Sequence, residues 1–324
     1  MDKKSSRLVP LPTNAFVPER DVDKSPVLEA RHIGIDFGGL TAVADFSLII
    51  GRTEIAGLIG PNGAGKTTFI KTLMGIYRTN GGEILVDGEQ IYENAQKKQE
   101  MIYVSDDLYV FPAYTIEDTA KFYSGIYPNW NWETFESLKA IFKIDVKRKP
   151  RRLSKGMQKQ VAFWLGLCAE PKIMVLDEPI DGLDPVMRRN TWSLVLQKVA
   201  ENGMTVLVSS HNLRELEDVC DHVGIMFDGK IIIEKSLDDV KGNIHKLQLA
   251  FQGGEIPEFS GLNILHKSTF GSVVNLIVKG ADEEIKKEIE KHNPLVFDIL
   301  PLTLEEIFIY ELGGMGYEFE NIII

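Results

Sequence analysis

The chain has 324 residues, 26% charged and 44% hydrophobic, with 36 Lys and Arg against 47 Asp and Glu for a formal net charge of -11. That balance argues against a general nucleic-acid or anionic-membrane binder, which needs a basic face. No apolar run approaches the roughly 20 residues that cross a bilayer, and only 2 cysteines are present, so a disulfide framework is not expected and a reducing, cytoplasmic setting is favoured.

Residues 1–25 are polar and Pro-containing without periodicity, and are expected to form a mobile extension. Within them Leu8-Val9-Pro10-Leu11-Pro12 is too short and too Pro-broken for a signal-peptide core. Val27–Phe37 and Ala44–Ile50 alternate as paired strands around Gly38-Gly39. Glu54–Ile59 is the short apolar run of a buried parallel strand.

The next eight residues, Gly60-Pro61-Asn62-Gly63-Ala64-Gly65-Lys66-Thr67, read G-x-x-x-x-G-K-T and continue through Thr68 into a helix-like run to Met74. Strand, glycine loop and helix form the context of a phosphate-binding loop. Successive backbone N–H groups converge on phosphate oxygens, and the helix start adds the positive end of its dipole. Lys66 supplies a point charge to the β and γ phosphates and Thr67 a hydroxyl to Mg2+.

Further along, Glu83–Val86 and Met101–Val104 read as short strands, and Thr115–Cys168 as mostly helical, interrupted at Pro128. The aromatics between Phe122 and Trp132 suit a core or a partner-docking face. The run Lys147–Arg152 is basic, and is expected to be a solvated face. Lys172–Leu176 and Met204–Val208 are buried strands with a helix from Pro185 to Ala200 between them, the pattern of a right-handed parallel crossover. Cys168 and Cys220 both fall in helix-like sequence. Past Lys241 the texture changes to a small α+β unit: strands at Lys246–Phe251, Val273–Val278 and Leu295–Leu300, helices at Glu283–His292 and Leu304–Leu312, the last opened by the capping box Thr303-Leu304-Glu305-Glu306.

The strand at Ile173–Leu176 ends in Asp177-Glu178. At the carboxyl edge of a parallel sheet both acids lie beside the phosphate loop. Asp177 suits Mg2+, and Glu178 suits orienting or deprotonating an attacking water.

Leu153-Ser154-Lys155-Gly156-Met157-Gln158 opens a helix between these motifs, and here the sequence resembles the ATP-binding subunit of ABC (ATP-binding cassette) transporters, whose signature LSGGQ it varies. The resemblance spans about residues 27–235. It implies a P-loop NTPase of ABC type: an α/β fold with a mixed core sheet, an antiparallel β subdomain and a helical subdomain near residues 107–160, the whole cassette covering 26–240, followed by the α+β appendage at 241–324.

By the same resemblance Ser154 and Gly156 serve the γ phosphate of ATP bound to a facing cassette, so two chains, or this chain and a paralogue, close around two ATP molecules. A Ser N-cap at a helix start is also a reasonable anion site in its own right. Lys155, in place of the commoner Gly, is expected to face solvent. The resemblance further implies that Phe37 stacks on adenine, that Asp181-Gly182-Leu183-Asp184 is the loop through which the two sites communicate, with Asp184 at the nucleotide, and that His211 is the switch histidine at the γ phosphate. The family's Q-loop glutamine is replaced here by Asp106, followed by Asp107. An aspartate can still ligate Mg2+ or a water, but lacks the amide donor.

What the resemblance implies is an ATPase that uses Lys66, Glu178 and His211 in catalysis and Mg2+ held by Thr67, Asp177 and Asp106. It would power a separate membrane permease from the inner face of the cell membrane, without nucleic acid. The segment Leu304-Glu305-Glu306-Ile307-Phe308 resembles bacterial exporter-type ATPases, which points to export of an antibiotic, peptide or other small amphipathic cargo. Two other readings stay open: a soluble ABC-type ATPase in translation or DNA maintenance, and a nucleotide-gated regulator with weak hydrolysis, which Asp106 motivates.

Overall fold

The computed structural model describes residues 26–314 apart from 107, 109–110, 238, 240–243, 253–255, 258 and 301. The expected N-terminal extension, Asp107 and the boundary near residue 240 lie outside the described residues.

Strands β1 (Pro26–Asp36) and β2 (Thr41–Gly51) pair antiparallel around the glycine turn, and β1 also pairs with β4 (Gly81–Val86), which carries the two-residue β5 (Glu89–Gln90) on its outer edge. This small sheet packs its buried residues, Phe46 and Leu48 among them, against Phe69 and Ile70 of α1 (Lys66–Leu73) and one face of the central sheet.

The central sheet holds six strands in the order β10-β9-β3-β8-β7-β6. Its members β3 (Ile55–Ile59), β7 (Ile173–Asp177) and β8 (Thr205–Ser210) are buried at every residue, as runs covered on both faces must be. With β6 (Met101–Val104) and β9 (His222–Phe227) they pair parallel, and β10 (Lys230–Ser236) closes the edge antiparallel to β9. The crossover from β7 to β8 runs through α6 (Pro185–Asn202), as the sequence implied.

The helical segment comprises the five-residue α2 (Ala95–Gln99) before β6, then α3 (Ile116–Ser124), α4 (Trp132–Phe142) and α5 (Lys155–Cys168). Each of α3 to α5 has a polar N-cap, Thr115, Asn131 and Ser154, whose side chain accepts from a first-turn N–H. Trp164 anchors the packing. It is fully buried, stacks on Phe135 with ring centroids 4.7 Å apart and donates from Nε1 to the Phe135 carbonyl at 3.0 Å.

The C-terminal unit is an antiparallel sheet in the order β12-β13-β11-β14, built from β11 (Ile244–Ala250), β12 (Asn263–Phe270), β13 (Val273–Lys279) and β14 (Val296–Leu300). Helix α7 (Asp282–Glu290) covers one face through Ile285 and Ile289. Helix α8 (Leu304–Gly314) packs back on the cassette: Arg214 Nε donates to Glu305 at 2.8 Å, and Leu304 and Ile307 join the main core.

Three local features differ from the sequence reading. Cys220 is not helical; it follows a short 3-10 turn, Leu213–Glu215, and ends in irregular chain before β9. The hairpin β9–β10 and the strand β12 were not anticipated. Both cysteines are buried and unpaired, and burial pushes their thiols well above the usual range, which leaves them inert.

Candidate functional site

The phosphate loop is shaped by its glycines. A Cβ on Gly60 would stand 2.1 Å from the Met226 carbonyl oxygen, and Gly65, with φ of +107°, would bring one to 2.5 Å from the Ala42 carbonyl oxygen. Only glycine fits either place, so the turn is fixed by close backbone approach as well as by dihedral freedom. Helix α1 starts on Gly65 with no side chain capping it and no acid in its first turn. An anion is therefore the fitting partner for its first N–H groups.

Lys66 is almost fully buried. Its ammonium donates to the carbonyls of Gly60 at 2.6 Å and Pro61 at 3.3 Å and lies 3.3 Å from Glu178 Oε1. Thr67 Oγ1 donates to Asp177 Oδ1 at 3.1 Å, Ser209 Oγ donates to the same oxygen at 2.6 Å, and the Tyr103 hydroxyl donates to Asp177 Oδ2 at 3.1 Å. These donors balance a carboxylate that is 2% exposed, which unpaired would be costly to bury. Thr67 and Asp177 together form a hard oxygen pair of the kind Mg2+ prefers.

Glu178 follows on a backbone with φ of +47°, rare for a residue with a side chain. Its N–H donates to the carbonyl and hydroxyl oxygens of Ser209 at 3.2 and 3.3 Å, and its carbonyl accepts from Lys159 Nζ at 2.8 Å. Held that way, the carboxylate meets His211 Nδ1 at 2.8 Å through Oε2 and Lys66 through Oε1. Glu178, Asp181 and His211 bring their polar atoms within 4.8 Å of one another.

A cleft of about 600 Å3 opens beside this network, lined by Thr67, Tyr77, Tyr103, Asp106, Asp177 and Glu178 among others. Phe37 lies just past the end of β1 and is 48% exposed, its ring edge-on to Tyr77 at 5.3 Å. A strand phenylalanine is ordinarily core; this one is a surface aromatic. Asp106 reaches the cleft, but its Oδ1 is held by Lys159 at 2.7 Å, so the expected Mg2+ ligand has a protein cation as its partner.

Ser154, Gly156 and Asp184 are not among the residues lining this cleft. Ser154 Oγ accepts from the Met157 N–H at 3.3 Å, and Asp184 Oδ1 from the N–H groups of Val186 and Met187 at 3.0 and 3.1 Å, each capping its helix. Gly156 lies against the Gly182 carbonyl, where an added Cβ would sit at 3.2 Å. Ser154, Lys155 and Asp184 are exposed. Arg188 ties this surface to the histidine loop, with Nε donating to the Leu183 carbonyl at 2.9 Å and NH1 to Glu215 at 2.7 Å. Burial lifts the Glu215 carboxyl above its ordinary range despite that arginine, with nearby Asp181 adding to the rise.

Four contributors escaped the motif reading: Tyr103, Lys159, Ser209 and the Arg188–Glu215 pair. Lys159 carried a usable signal, as a lysine whose i+3 and i+4 neighbours on α5, Ala162 and Phe163, are apolar and buried. Tyr103 and Ser209 lie in strands, and nothing local marks them as partners of Asp177.

The ABC transporter family model matches residues 43–181. The ABC transporter ATP-binding protein YtrB of Bacillus subtilis is 32% identical over 288 residues, covering 89% of this chain and 99% of that protein. The probable multidrug ABC transporter ATP-binding protein YbhF of Escherichia coli is 33% identical over 221 residues, 66% of this chain but 38% of that protein. Among solved structures, an ATP-binding subunit of an ABC transporter superposes with a TM-score of 0.62 at 25% identity, over 66% of this chain and 92% of that one.

Proposed function

The chain belongs to the family of ABC transporter ATP-binding proteins, and on that premise we propose that it hydrolyses ATP and thereby powers a separately encoded membrane permease. The observation that carries the reading is the meeting of Lys66, Glu178 and His211 beside the Thr67–Asp177 pair, at the mouth of an uncapped helix.

Loop N–H groups and Lys66 would receive the β and γ phosphates, and the exposed ring of Phe37 would stack on adenine. Thr67 and Asp177 would hold Mg2+, which neutralises charge on the phosphate oxygens when bound. Glu178 would take a proton from the attacking water as the water oxygen bonds to the γ phosphorus. The bond from that phosphorus to the bridging oxygen breaks, and ADP leaves with the electron pair. His211, hydrogen-bonded to Glu178, would meet the γ phosphate. Catalysis of this kind is mostly positioning and charge neutralisation.

Ser154, Gly156 and Asp184 would complete the site of a facing cassette, which the exposure of Ser154 and Asp184 supports. The permease would dock on the helical segment, where Phe111, Phe122 and Trp132 are 51%, 40% and 44% exposed. No helix among the described residues is long and apolar enough to cross a membrane, so membrane attachment would come through that partner, at the inner face of the cell membrane. Export of an antibiotic, peptide or similar amphipathic cargo is favoured by the multidrug designation of the YbhF relative.

Co-purification of the chain from membranes tests the assignment, together with phosphate release with and without the recovered permease. Stimulated ATP hydrolysis is the expected result. A ribosome or DNA partner in place of a permease would overturn the transport reading.

A further inference from the structure

Lys159 lies within α5, one turn beyond Ser154, and its side chain is only 7% exposed. A buried ammonium is retained where good acceptors meet it, and Lys159 has two, from different segments of the chain. One is the carbonyl oxygen of Glu178 at 2.8 Å; the other is Asp106 Oδ1 at 2.7 Å. An apolar side chain could fill the same buried position but could donate to neither acceptor. The charge therefore has a local task.

That task is visible in the Glu178 backbone. With φ at +47°, Glu178 occupies a conformation that a side-chain-bearing residue leaves unless its surroundings hold it. Ser209 fixes the N–H side of the residue and Lys159 the carbonyl side. The direction of the carboxylate toward His211 and Lys66 follows from that clamp. Asp106, whose side chain is 59% exposed on the loop after β6, is the outer end of the same chain of contacts.

We propose that Lys159 is a positioning residue that sets the orientation of Glu178, and that Asp106 acts on Glu178 through Lys159. This rests on the hydrolysis reading given above. Movement of the loop at Asp106 would then reach the catalytic carboxylate through two contacts, from Asp106 to Lys159 and from Lys159 to the Glu178 carbonyl.

The test uses the full-length chain in four forms besides the unmodified one: Glu178→Gln, Lys159→Met, Asp106→Asn and the Lys159→Met/Asp106→Asn pair. Steady-state phosphate release gives kcat, binding of a non-hydrolysable ATP analogue gives affinity, and thermal unfolding monitors folding. Lys159→Met should lower kcat by roughly tenfold to a hundredfold, the scale of misplacing a catalytic group by an ångström, with analogue affinity unchanged. Asp106→Asn should lower kcat less, and add nothing once Lys159 is Met, as expected for residues acting in series. The proposal is overturned if Lys159→Met keeps the unmodified kcat while Glu178→Gln is inactive, if affinity falls in parallel with kcat, or if the Asp106→Asn effect persists in full beside Lys159→Met. If the unmodified chain and Glu178→Gln release phosphate equally, the hydrolysis reading itself fails, and the proposal with it.

Discussion

The phosphate loop and the signature surface, the two halves that different chains would bring to each composite ATP site, are built in opposite ways. Around Asp177 and Glu178 nearly every polar atom is already engaged: Thr67, Ser209 and Tyr103 on one carboxylate, His211 and Lys66 on the other. Ser154 and Asp184 are exposed, and their engaged oxygens cap their own helices. A prebuilt network on one side and a capped surface on the other is what a composite site looks like in a single chain. Under the proposed function the inner half would be assembled by folding alone, while the outer half would gain a ligand only when a second cassette supplies it.

The sharpest way to break this contrast is to disable the inner half chemically while leaving its shape. Glu178→Gln keeps the hydrogen-bonding outline and removes the base, so phosphate release should fall by about 10²–10⁴-fold, the usual contribution of a general base. ATP should still bind, and a nucleotide-bound dimer should accumulate in light scattering. Turnover near the unmodified rate would remove Glu178 from its role.

Next in size is a complementation experiment. Lys66→Ala spoils the loop of its own chain, and Ser154→Arg spoils the surface offered to a neighbour. Each alone should be nearly inactive. Mixed, they yield dimers in which one composite site carries both defects and the other carries none, so phosphate release should reappear. If all the site residues acted within one chain, mixing would restore nothing.

A smaller effect separates the structural duty of Ser154 from its expected role at the partner's ATP. Ser154→Ala removes the N-cap of α5 and should cost about 1 kcal/mol of stability, read as a modest fall in Tm of the isolated chain. Loss of hydrolysis with no change in Tm would deny the capping role.

The smallest concerns the seam between the halves, at Arg188 and Glu215. Burial holds the Glu215 carboxyl above its ordinary range, so the folded chain binds that proton more tightly than the unfolded chain. Its contribution to stability is greatest below the ordinary carboxylate range and declines as pH rises through the elevated folded value. Compared with Glu215→Gln, the unmodified chain should lose relative Tm across that window. A constant difference with pH would contradict the burial effect.

Much of this was legible beforehand because the chemistry lies in short, contiguous motifs. The loop at Gly60–Thr67, the acid pair after β7 and the capped start of α5 each declare themselves within a few residues. What escaped was relational. Lys159 matters through Asp106 and through the Glu178 carbonyl, partners brought together by tertiary packing. Tyr103 joins Asp177 from the neighbouring strand β6, a register that apolar alternation does not specify. The hairpin β9–β10 was readable in principle: Asp228-Gly229, with φ of +46° and +76°, lies between two apolar runs, the sequence signature of a tight turn. The strand β12 was harder, since most of its residues are exposed and its alternation is weak.

Lys66 is the detail whose consequence reaches furthest. Its ammonium is occupied by two loop carbonyls and by Glu178. Under the proposed function, a γ phosphate arriving there must exchange with the glutamate instead of filling a gap. The carboxylate that is to receive a proton would thus be released from Lys66 by the arrival of its own substrate, with His211 still on its other oxygen. Loading of nucleotide and release of the base from Lys66 would then be a single event.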